Sequence, residues 1–284
     1  MVLCGGFSNE KRAKKMRQDD GAEFISASLG RVKKGFMAKK VLLHVHTSYS
    51  LDSIMDKYLL LMMCKIRGID CLAITDHNEI EGALSWRVFF QSHGVSVIVG
   101  EEIFTNQGEI IGLFLEKKIS RGMTVQETID AIEQQNAIVY IPHPYDLSRQ
   151  KSVLEYSALL QYKERVQLIE IHNGRNRSKQ YTLEQQRIGK EVGAIPVVGE
   201  DAHCFFEVGR NYLILPDFYD KETFLKAISS PLVIHVSESI SFAHFVTKCV
   251  RIYKMIKMGR YHELYRAIEK KIRKYKHNIS SSDW

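Results

Sequence analysis

Residues 41–47, with the sequence VLLHVHT, are the stretch from which the fold of this chain is best understood. The stretch is made of branched apolar residues without glycine or proline and ends in a polar residue, which is typical of a buried strand. His44 and His46 are two positions apart, so on a strand their side chains project from the same face. Two imidazoles side by side at the end of a strand suit half of a metal site better than a core.

Further clusters of histidine and carboxylate residues follow the later apolar runs of the chain. They contain Asp76 and His77, Glu101 and Glu102, His143, Glu170 and His172, and Asp201 and His203. Parallel strands that each end in a potential metal ligand describe the mouth of an α/β barrel. The sequence therefore predicts that these side chains converge at one end of such a barrel.

Predicted strands and helices alternate along the middle of the chain. Strands are predicted at residues 41–47, 71–75, 95–99, 109–115, 137–141, 166–171, 195–198 and 211–215, and helices at 54–67, 78–91, from 124, and at 178–192 and 221–229. Ser53 or Asp52 is expected to cap the first helix and Gly68 to end it, and Thr124 with Glu127 forms a capping box. About seven strand–helix units in series predict parallel pairing with right-handed crossovers.

Composition fits one α/β domain with additional segments. The chain has 284 residues, of which 45% are hydrophobic and 26% charged, enough to bury a substantial core. Its five cysteines are widely spaced without a CxxC motif, which argues against a disulfide framework or a zinc-finger module and favours a reducing compartment. No apolar run is long enough to span a bilayer, and the start lacks an apolar signal core, so a cytoplasmic location is expected.

The charge is divided unevenly along the chain. Residues 1–40 hold ten Lys and Arg against four Asp and Glu, and residues 241–284 hold eleven against three, which leaves residues 41–240 at −7 within the total of +7. We predict a flexible extension at residues 1–36, the catalytic domain at 37–237 and a basic amphipathic helical tail at 238–284.

The tail has its own helical periodicity, in which apolar residues such as Phe242, Phe245, Ile252 and Ile256 recur on one face. One interpretation is a helix pair that packs this face on the barrel and is separable from catalysis. The other is a basic surface that contacts nucleic acid or an anionic membrane.

Six motifs of the chain resemble those of the PHP (polymerase and histidinol phosphatase) family in order and spacing. They are His44-Val45-His46, Asp52, Thr75-Asp76-His77, Gly100-Glu101, His143-Pro144 and Asp201-Ala202-His203. The resemblance covers about residues 41–237. It implies a distorted (β/α)7 barrel with two or three divalent metal ions at its C-terminal mouth, and the hydrolysis of phosphate esters.

The resemblance also implies a set of metal ligands. His44, His46, Glu101 and Asp201 would hold one ion, Glu101 and His143 a second, and Asp52, His77 and His203 a third. Such a cluster suits phosphate-ester hydrolysis, because two ions about 3.5–4 Å apart generate a hydroxide nucleophile and neutralise phosphoryl charge. Glu101 is the predicted bridging carboxylate, and its neighbour Glu102 is expected to point toward a helix or solvent. Asp76 either orients a neighbouring ligand or ligates directly.

The chain departs from the family pattern at two positions. Glu109 stands where many members carry a histidine, which favours manganese or magnesium over zinc. Glu200 replaces the usual serine before Asp201 and is expected to add negative charge beside the site. Arg175 or Arg177, after the strand that ends near His172, is predicted to grip a phosphate oxygen of the substrate.

These features predict a metal-dependent phosphoesterase that uses manganese, zinc or iron and acts on a phosphorylated small molecule or a nucleotide. One alternative is a nuclease or nucleotidase that acts on RNA or DNA ends, for which the basic tail would contact phosphates. Another is a non-catalytic metal-binding module, although the nearly complete ligand set argues against it.

Overall fold

A computed structural model describes residues 37–266 and 269 of the chain. The predicted extension at residues 1–36 and most of the tail beyond residue 266 lie outside the described residues. The strands are β1 (Ala38–Val45), β2 (Cys71–Ile74), β3 (Ser96–Thr105), β4 (Gly108–Leu113), β5 (Ile138–Ile141), β6 (Leu168–Asn173), β7 (Ile195–Gly199), β8 (Tyr212–Pro216) and β9 (Val233–His235). The helices are α1 (Lys57–Arg67), α2 (Glu81–Ser92), α3 (Val125–Glu133), α4 (Tyr156–Gln161), α5 (Lys179–Val192), α6 (Lys221–Ile228) and α7 (Ser241–Lys257), with a 3-10 turn at Lys163–Arg165.

These strands form one sheet in the order β7-β6-β5-β4-β3-β2-β1-β8-β9. The pairs β1–β2, β2–β3, β5–β6 and β6–β7 are parallel, as predicted. The prediction of parallel pairing throughout is wrong for β4 and β8, which pair antiparallel with their neighbours, and β9, a strand that was not predicted, pairs antiparallel with β8. Only residues 106–107 connect β3 to β4, and so short a connection makes a hairpin rather than a crossover.

The sheet nearly closes on itself at the end where the ligand motifs lie. The backbone N–H of His46 donates to the carbonyl of Ala202 over 2.9 Å, and that of Glu200 donates to Leu43 over 2.8 Å. Val45 and Ala202 also form a parallel bridge. Main-chain bonds thus join β1 to the segment after β7, and the predicted distorted α/β barrel is confirmed.

Two apolar clusters define the inside and outside of this barrel. The outer cluster packs helices α1, α2, α3 and α5 onto the sheet and includes Leu42, Val45, Val99 and Ile103. The interior cluster is formed by strand residues together with α6; on β1 to β6 it contains Val41, Leu43, Cys71, Ala73, Ile98, Ile111, Leu113, Ile138, Tyr140 and Leu168. Alternate residues of β1 to β6 therefore face opposite clusters.

Helix caps fit their sequence signals with one correction. Asp56 caps α1 by accepting from the N–H groups of Tyr58 and Leu59, so the prediction that Ser53 or Asp52 does so is wrong. The helix starts later than predicted because Asp56 is the residue that bonds its free amides, and Ser53 and Asp52 remain in the preceding loop. Gly68 ends α1 in the left-handed conformation, and Thr124 and Glu127 form the predicted capping box.

Helix α7 lies against the barrel through the face that carries Ala243, Thr247 and Met255, which are its buried residues. Phe242 and Phe245 are each 62% exposed. The expectation that these aromatic residues pack on the barrel is therefore wrong for this helix, because the face that contacts the barrel does not contain them. A further helical stretch covers residues 261–266.

Within the described part of the chain, none of the helices combines the length and the apolar content needed to cross a membrane.

Candidate metal centre

A backbone irregularity in β1 turns His44 and His46 into the barrel. The pairing register of β1 with β2 shifts between Leu42 and Val45, and His44 has a left-handed φ of 64°. Leu42 and Val45 both face the outer cluster, so a regular strand would have placed His44 and Leu42 on the same outward side. The irregularity reverses the alternation and directs both imidazoles inward.

Glu102 lies at the centre of the histidines. Its Oε1 is 3.0 Å from His143 Nε2 and 3.3 Å from His44 Nε2, and its Oε2 is 2.8 Å from His77 Nδ1 and 3.4 Å from His46 Nε2. This one buried carboxylate is therefore within reach of four imidazoles.

The structure corrects the choice of Glu101 as the central carboxylate. Glu101 Oε2 instead accepts a hydrogen bond from the backbone of Ile119 over 2.8 Å, and burial raises its pKa to about 7. On β3, Glu101 shares the outward alternation of Val99 and Ile103, whereas Glu102 shares that of the inward Ile98.

The donor atoms around Glu102 fit divalent metal ions. His44 Nε2, His46 Nε2, Asp52 Oδ1 and Glu102 Oε2 are buried without a hydrogen-bond partner among the described residues. Four sets of donors lie within 4.8 Å of one another: His46, His77 and His203; His44, His46 and Glu102; His44, His143 and Asp201; and His77, Glu102 and Glu109. Buried polar atoms normally have partners, so converging unpartnered nitrogens and carboxylate oxygens indicate a cation site.

Glu170 orients one side of this centre from inside the barrel. Its Oε1 accepts from His44 Nδ1 at 2.8 Å and from the hydroxyl of Tyr140 at 2.6 Å, and its Oε2 accepts from the backbone N–H of His143 at 2.7 Å. With Nδ1 bonded to Glu170, His44 directs its Nε2 toward Glu102. Gly199 permits this placement, because a Cβ at that position would lie 1.9 Å from Glu170 Oε1.

Asp76 orients the other side through a serine. Ser50 Oγ donates to Asp76 Oδ1 over 2.6 Å and therefore accepts from His46 Nδ1, which lies 3.2 Å away. Thr47 holds the same carboxylate with its backbone N–H at 2.7 Å and its hydroxyl at 2.6 Å. Of the two predicted roles for Asp76, this geometry is that of orienting a neighbouring ligand.

Asp52 and His203 lie beside His77 at the outer rim. Asp52 Oδ1 is 3.5 Å from His203 Nε2 and 3.7 Å from His77 Nε2. His203 Nδ1 lies 2.9 Å from the carbonyl of Asp201, which fixes the ring with Nε2 toward Asp52. The structure thus brings together seven of the predicted ligands in one region: His44, His46, Asp52, His77, His143, Asp201 and His203.

The electrostatics of the centre keep three of its carboxylates ionised. Burial raises the pKa of Glu102, but the imidazoles of His44 and His77 outweigh burial and hold the pKa well below its usual range. Burial likewise opposes ionisation of Asp201 and Asp52, yet Arg149 and His44 hold the pKa of Asp201, and His203 and His77 that of Asp52, well below the ordinary value. Burial and the charge of Glu102 raise the pKa of Glu109 to about 8. Negative charge is therefore carried by Glu102, Asp201 and Asp52.

The two positions that depart from the family pattern behave differently. Glu109 faces the centre, with its carboxylate oxygens 3.6 Å from His143 Nε2 and 3.7 Å from His77 Nδ1. Glu200 instead accepts from the backbone N–H groups of Arg210 and Asn211, and burial raises its pKa to about 8. The expectation that Glu200 adds negative charge beside the site is wrong, because its carboxyl group bonds the main chain before β8.

Arg149 is an arginine of the centre that the sequence did not indicate. Its Nη1 donates to Asp201 Oδ2 and its Nε to Asp146 Oδ2, both over 2.8 Å, and its Nη2 donates to Asn173 Oδ1 over 2.9 Å. Arg149 lies in a polar loop without a motif, so no local signal would have identified it. The position of Glu170 on β6, two residues after the inward Leu168, is a signal that would have identified it, whereas both alternations of β3 are apolar and leave Glu102 without one.

Arg175 and Arg177, the predicted phosphate-binding arginines, lie in different surroundings. Arg175 is buried and donates to Thr247 Oγ1 over 2.9 Å, with His244 Nδ1 at 3.3 Å, so its guanidinium holds α7 rather than facing the metal centre. The structure therefore brings Arg175 to α7 and not to the metal centre, and its role in gripping the substrate stays a prediction. Arg177 lines a cavity of about 520 Å³ between the start of α5 and α7, together with Lys179 and Lys248.

A distorted α/β barrel with a histidine and carboxylate centre at its mouth is the architecture of metal-dependent hydrolases. A comparison with protein families matches residues 43–192 to the PHP domain, which is more than half of the 284-residue chain. The chain therefore belongs to the PHP family.

The chain is also similar to three individual proteins. An uncharacterised protein of Methanocaldococcus jannaschii is 35% identical over 176 residues, which are 61% of this chain and 69% of that protein. A 5′-3′ exoribonuclease of Haemophilus influenzae is 26% identical over 182 residues, 59% of this chain and 66% of that protein. A solved two-domain protein from Bacteroides vulgatus, described as containing a predicted PHP-like metal-dependent phosphoesterase, is 16% identical with a TM-score of 0.57 over 71% of this chain and 65% of that one.

The matches to these three proteins span about two thirds of the length of each. The last of them shares the fold of this chain, which is that of PHP-like metal-dependent phosphoesterases.

Proposed function

We propose that this chain hydrolyses phosphate esters with divalent metal ions held around Glu102. The observation that carries the proposal is the convergence of His44 Nε2, His46 Nε2 and Glu102 Oε2, which are buried and have no hydrogen-bond partner among the described residues. Ions bound there would supply a hydroxide nucleophile at neutral pH and neutralise charge on the phosphoryl group.

The ligand set follows from the donor groups. His44, His46, Glu102 and Asp201 would hold one ion, and Glu102 and His143 would hold a second. Asp52, His77 and His203 would hold a third ion at the rim. Glu109 adds a carboxylate where many relatives have an imidazole, which favours manganese over zinc or iron.

The basic cavity beside α7 would hold the rest of the substrate. Arg177, Lys179 and Lys248 line it, and Ser178 caps the adjacent α5. Guanidinium and ammonium groups next to a helix N-terminus attract anions. We infer that Arg177 binds an anionic group of a phosphorylated small molecule or nucleotide.

The test is hydrolysis of a library of phosphate monoesters and diesters by the full chain loaded with Mn²⁺, with metal content measured by elemental analysis. We expect turnover of at least one class of ester and loss of both metal and turnover in Glu102→Gln. Metal binding without turnover of any ester would support the alternative of a non-catalytic module. Less than about half an ion per chain, without activation on reconstitution, would refute the metal centre.

A second candidate is a nuclease or nucleotidase that acts on RNA or DNA ends. The relative of H. influenzae is a 5′-3′ exoribonuclease, and α7 carries exposed aromatic and basic residues together, among them Phe242, Phe245, Tyr253 and Lys248. Aromatic side chains stack on bases and basic ones contact phosphates. Release of mononucleotides from 5′-phosphorylated RNA, in preference to small esters, would favour this candidate.

Binding to nucleic acid should weaken steeply as salt increases. The same assay with vesicles of anionic lipid would test the membrane surface that the basic tail also predicts.

A further inference from the structure

We propose that Lys254 of α7 is a positioning residue of the metal centre, which acts by holding the loop at residues 48–53. The inference rests on the proposed metal-dependent function, and it contradicts the expectation that the tail is separable from catalysis. Three observations support it: the two points at which α7 is anchored, the hydrogen bonds of Lys254, and the groups of the metal centre that lie on the loop at residues 48–53.

Helix α7 is anchored at both ends of its packed face. Near its start, Thr247 accepts a hydrogen bond from the buried Arg175, which follows β6. Near its end, Lys254 reaches the loop between β1 and α1. The seven helical steps from Thr247 to Lys254 rise about 10 Å along the helix. The helix therefore bridges two loops at the mouth of the barrel.

The ammonium group of Lys254 uses all three of its donors on one loop. Its Nζ donates to the carbonyl oxygens of Ser48, Ser50 and Ser53 over 2.8, 2.7 and 2.8 Å. An ammonium has three N–H donors, so none remains for solvent or another side chain. Three converging carbonyls repel one another unless a cation or several donors lie between them, and Lys254 supplies that cation.

The loop held in this way carries several groups of the metal centre. Ser50 Oγ links His46 to Asp76 and also accepts from the backbone N–H of His77 over 3.1 Å. Asp52 faces His77 and His203 with an oxygen that has no hydrogen-bond partner among the described residues.

Ser53 Oγ lies 3.0 Å from the carbonyl oxygens of both His46 and His203. Displacing the loop at residues 48–53 would move the donors of the outer rim but would leave His44, His143 and Glu170 in place. The hydrogen bonds of Lys254 go to main-chain carbonyl oxygens and not to the proposed ligands, so it positions the outer rim by holding the main chain of the loop.

The experiment compares three variants of the full chain: Lys254→Met, which keeps the stem and removes the donors; Lys254→Arg, which retains charge and donors; and Lys257→Met, an exposed lysine one turn further along the same helix as a control. Mn²⁺ affinity and stoichiometry are measured by calorimetry. Hydrogen exchange is followed in peptides that cover residues 47–56 and 166–176, and thermal unfolding is recorded for each protein.

We expect Lys254→Met to lose about 10-fold in affinity for the most weakly bound Mn²⁺, as groups that orient metal ligands commonly do. Exchange should increase in residues 47–56 but stay unchanged in residues 166–176. Lys254→Arg should recover most of the affinity, and Lys257→Met should match the wild type.

An unchanged Mn²⁺ isotherm and unchanged loop exchange in Lys254→Met would overturn the proposal. If Lys254→Met does not fold, Lys254→Gln takes its place, because its side chain is shorter and carries two N–H donors instead of three. We expect Lys254→Gln to raise exchange in residues 47–56 above the wild type and to weaken the last Mn²⁺, and wild-type exchange together with wild-type affinity in that variant would overturn the proposal. If Mn²⁺ binds but no ester is hydrolysed by the wild type, the proposed function fails while the effect of Lys254 on Mn²⁺ remains measurable.

Discussion

The two halves of the metal centre are held in different ways. In the strand-held half, His44, His143 and Asp201 lie within or directly after strands, and the first two are oriented by the buried Glu170. In the loop-held half, His46, His77, His203 and Asp52 depend on hydrogen bonds of the loop at residues 48–53. The side chains of His44 and His143 are 0% and 1% exposed, whereas those of His77 and Asp52 are 28% and 21% exposed.

This difference indicates how ligand geometry is maintained in each half. The strand-held half is fixed by the same packing that forms the barrel, so it is preorganised at the cost of strained backbone at His44, His143 and Asp201, all with positive φ. The loop-held half can relax without unfolding the barrel. Substitutions in the strand-held half, in the loop-held half, or at a residue that contacts both should therefore have distinguishable effects on metal affinity.

The largest effect is expected for Glu102→Gln, because Glu102 contacts imidazoles of both halves. Removing its charge should weaken metal binding in both and lower kcat/KM on the order of 10³-fold or more. The matched control is Glu101→Gln, which alters a carboxyl group on the outer side of the same strand and should stay near wild type. Equal losses in the two variants would contradict the placement of Glu102 between the halves.

These adjacent glutamates show how far the sequence alone predicts the site. The histidines could be predicted because each follows an apolar run, and the ends of neighbouring strands meet in a barrel. Both alternations of β3 are apolar, with Val99 and Ile103 on one side and Ile98 on the other, so the inward face was not distinguishable before the sheet was known.

Other features of the fold depend on tertiary contacts that leave no local pattern. Strand and helix positions, in contrast, could be predicted from periodicity and from caps such as Gly68 and Thr124. The role of Arg149 depends on a loop that folds back toward Asp201, and the buried face of α7 is chosen by the loops that it contacts. Sequence periodicity favoured the aromatic face of α7, which the structure leaves exposed.

The strand-held half alone should respond to Glu170→Gln. The substitution disturbs a group that accepts from His44 Nδ1, from the backbone of His143 and from Tyr140. We expect a loss of about 10- to 100-fold in metal affinity, with unchanged hydrogen exchange in residues 47–56. Tyr140→Phe removes only one of the hydrogen bonds to Glu170 and should have a smaller effect on affinity. A loss in Tyr140→Phe as large as in Glu170→Gln would mean that the phenol, not the carboxylate, orients the ligands.

The loop-held half should respond to Asp52→Asn by losing roughly 10-fold in affinity for one Mn²⁺. Combining it with Lys254→Met sharpens the comparison, because two residues that act through one loop should have non-additive effects. We expect the double variant to bind Mn²⁺ about as weakly as Asp52→Asn alone. Additive losses would show that Lys254 and Asp52 act independently.

The smallest effect on catalysis is expected for Arg175→Ala, since Arg175 reaches neither half. It is buried against α7, donates to Thr247 and lies 3.6 Å from Glu207, so its removal should lower the free energy of unfolding by about 1.5–3 kcal/mol. The KM for a small ester should change little. Arg177→Ala is the matched comparison, because Arg177 lines the basic cavity and its loss should raise KM on the order of 10-fold with little change in stability. Chemical denaturation and steady-state kinetics of the two variants separate these outcomes. A stable Arg175→Ala protein with a raised KM would place Arg175 at the substrate, and would mean that α7 is held at the mouth of the barrel by Lys254 instead.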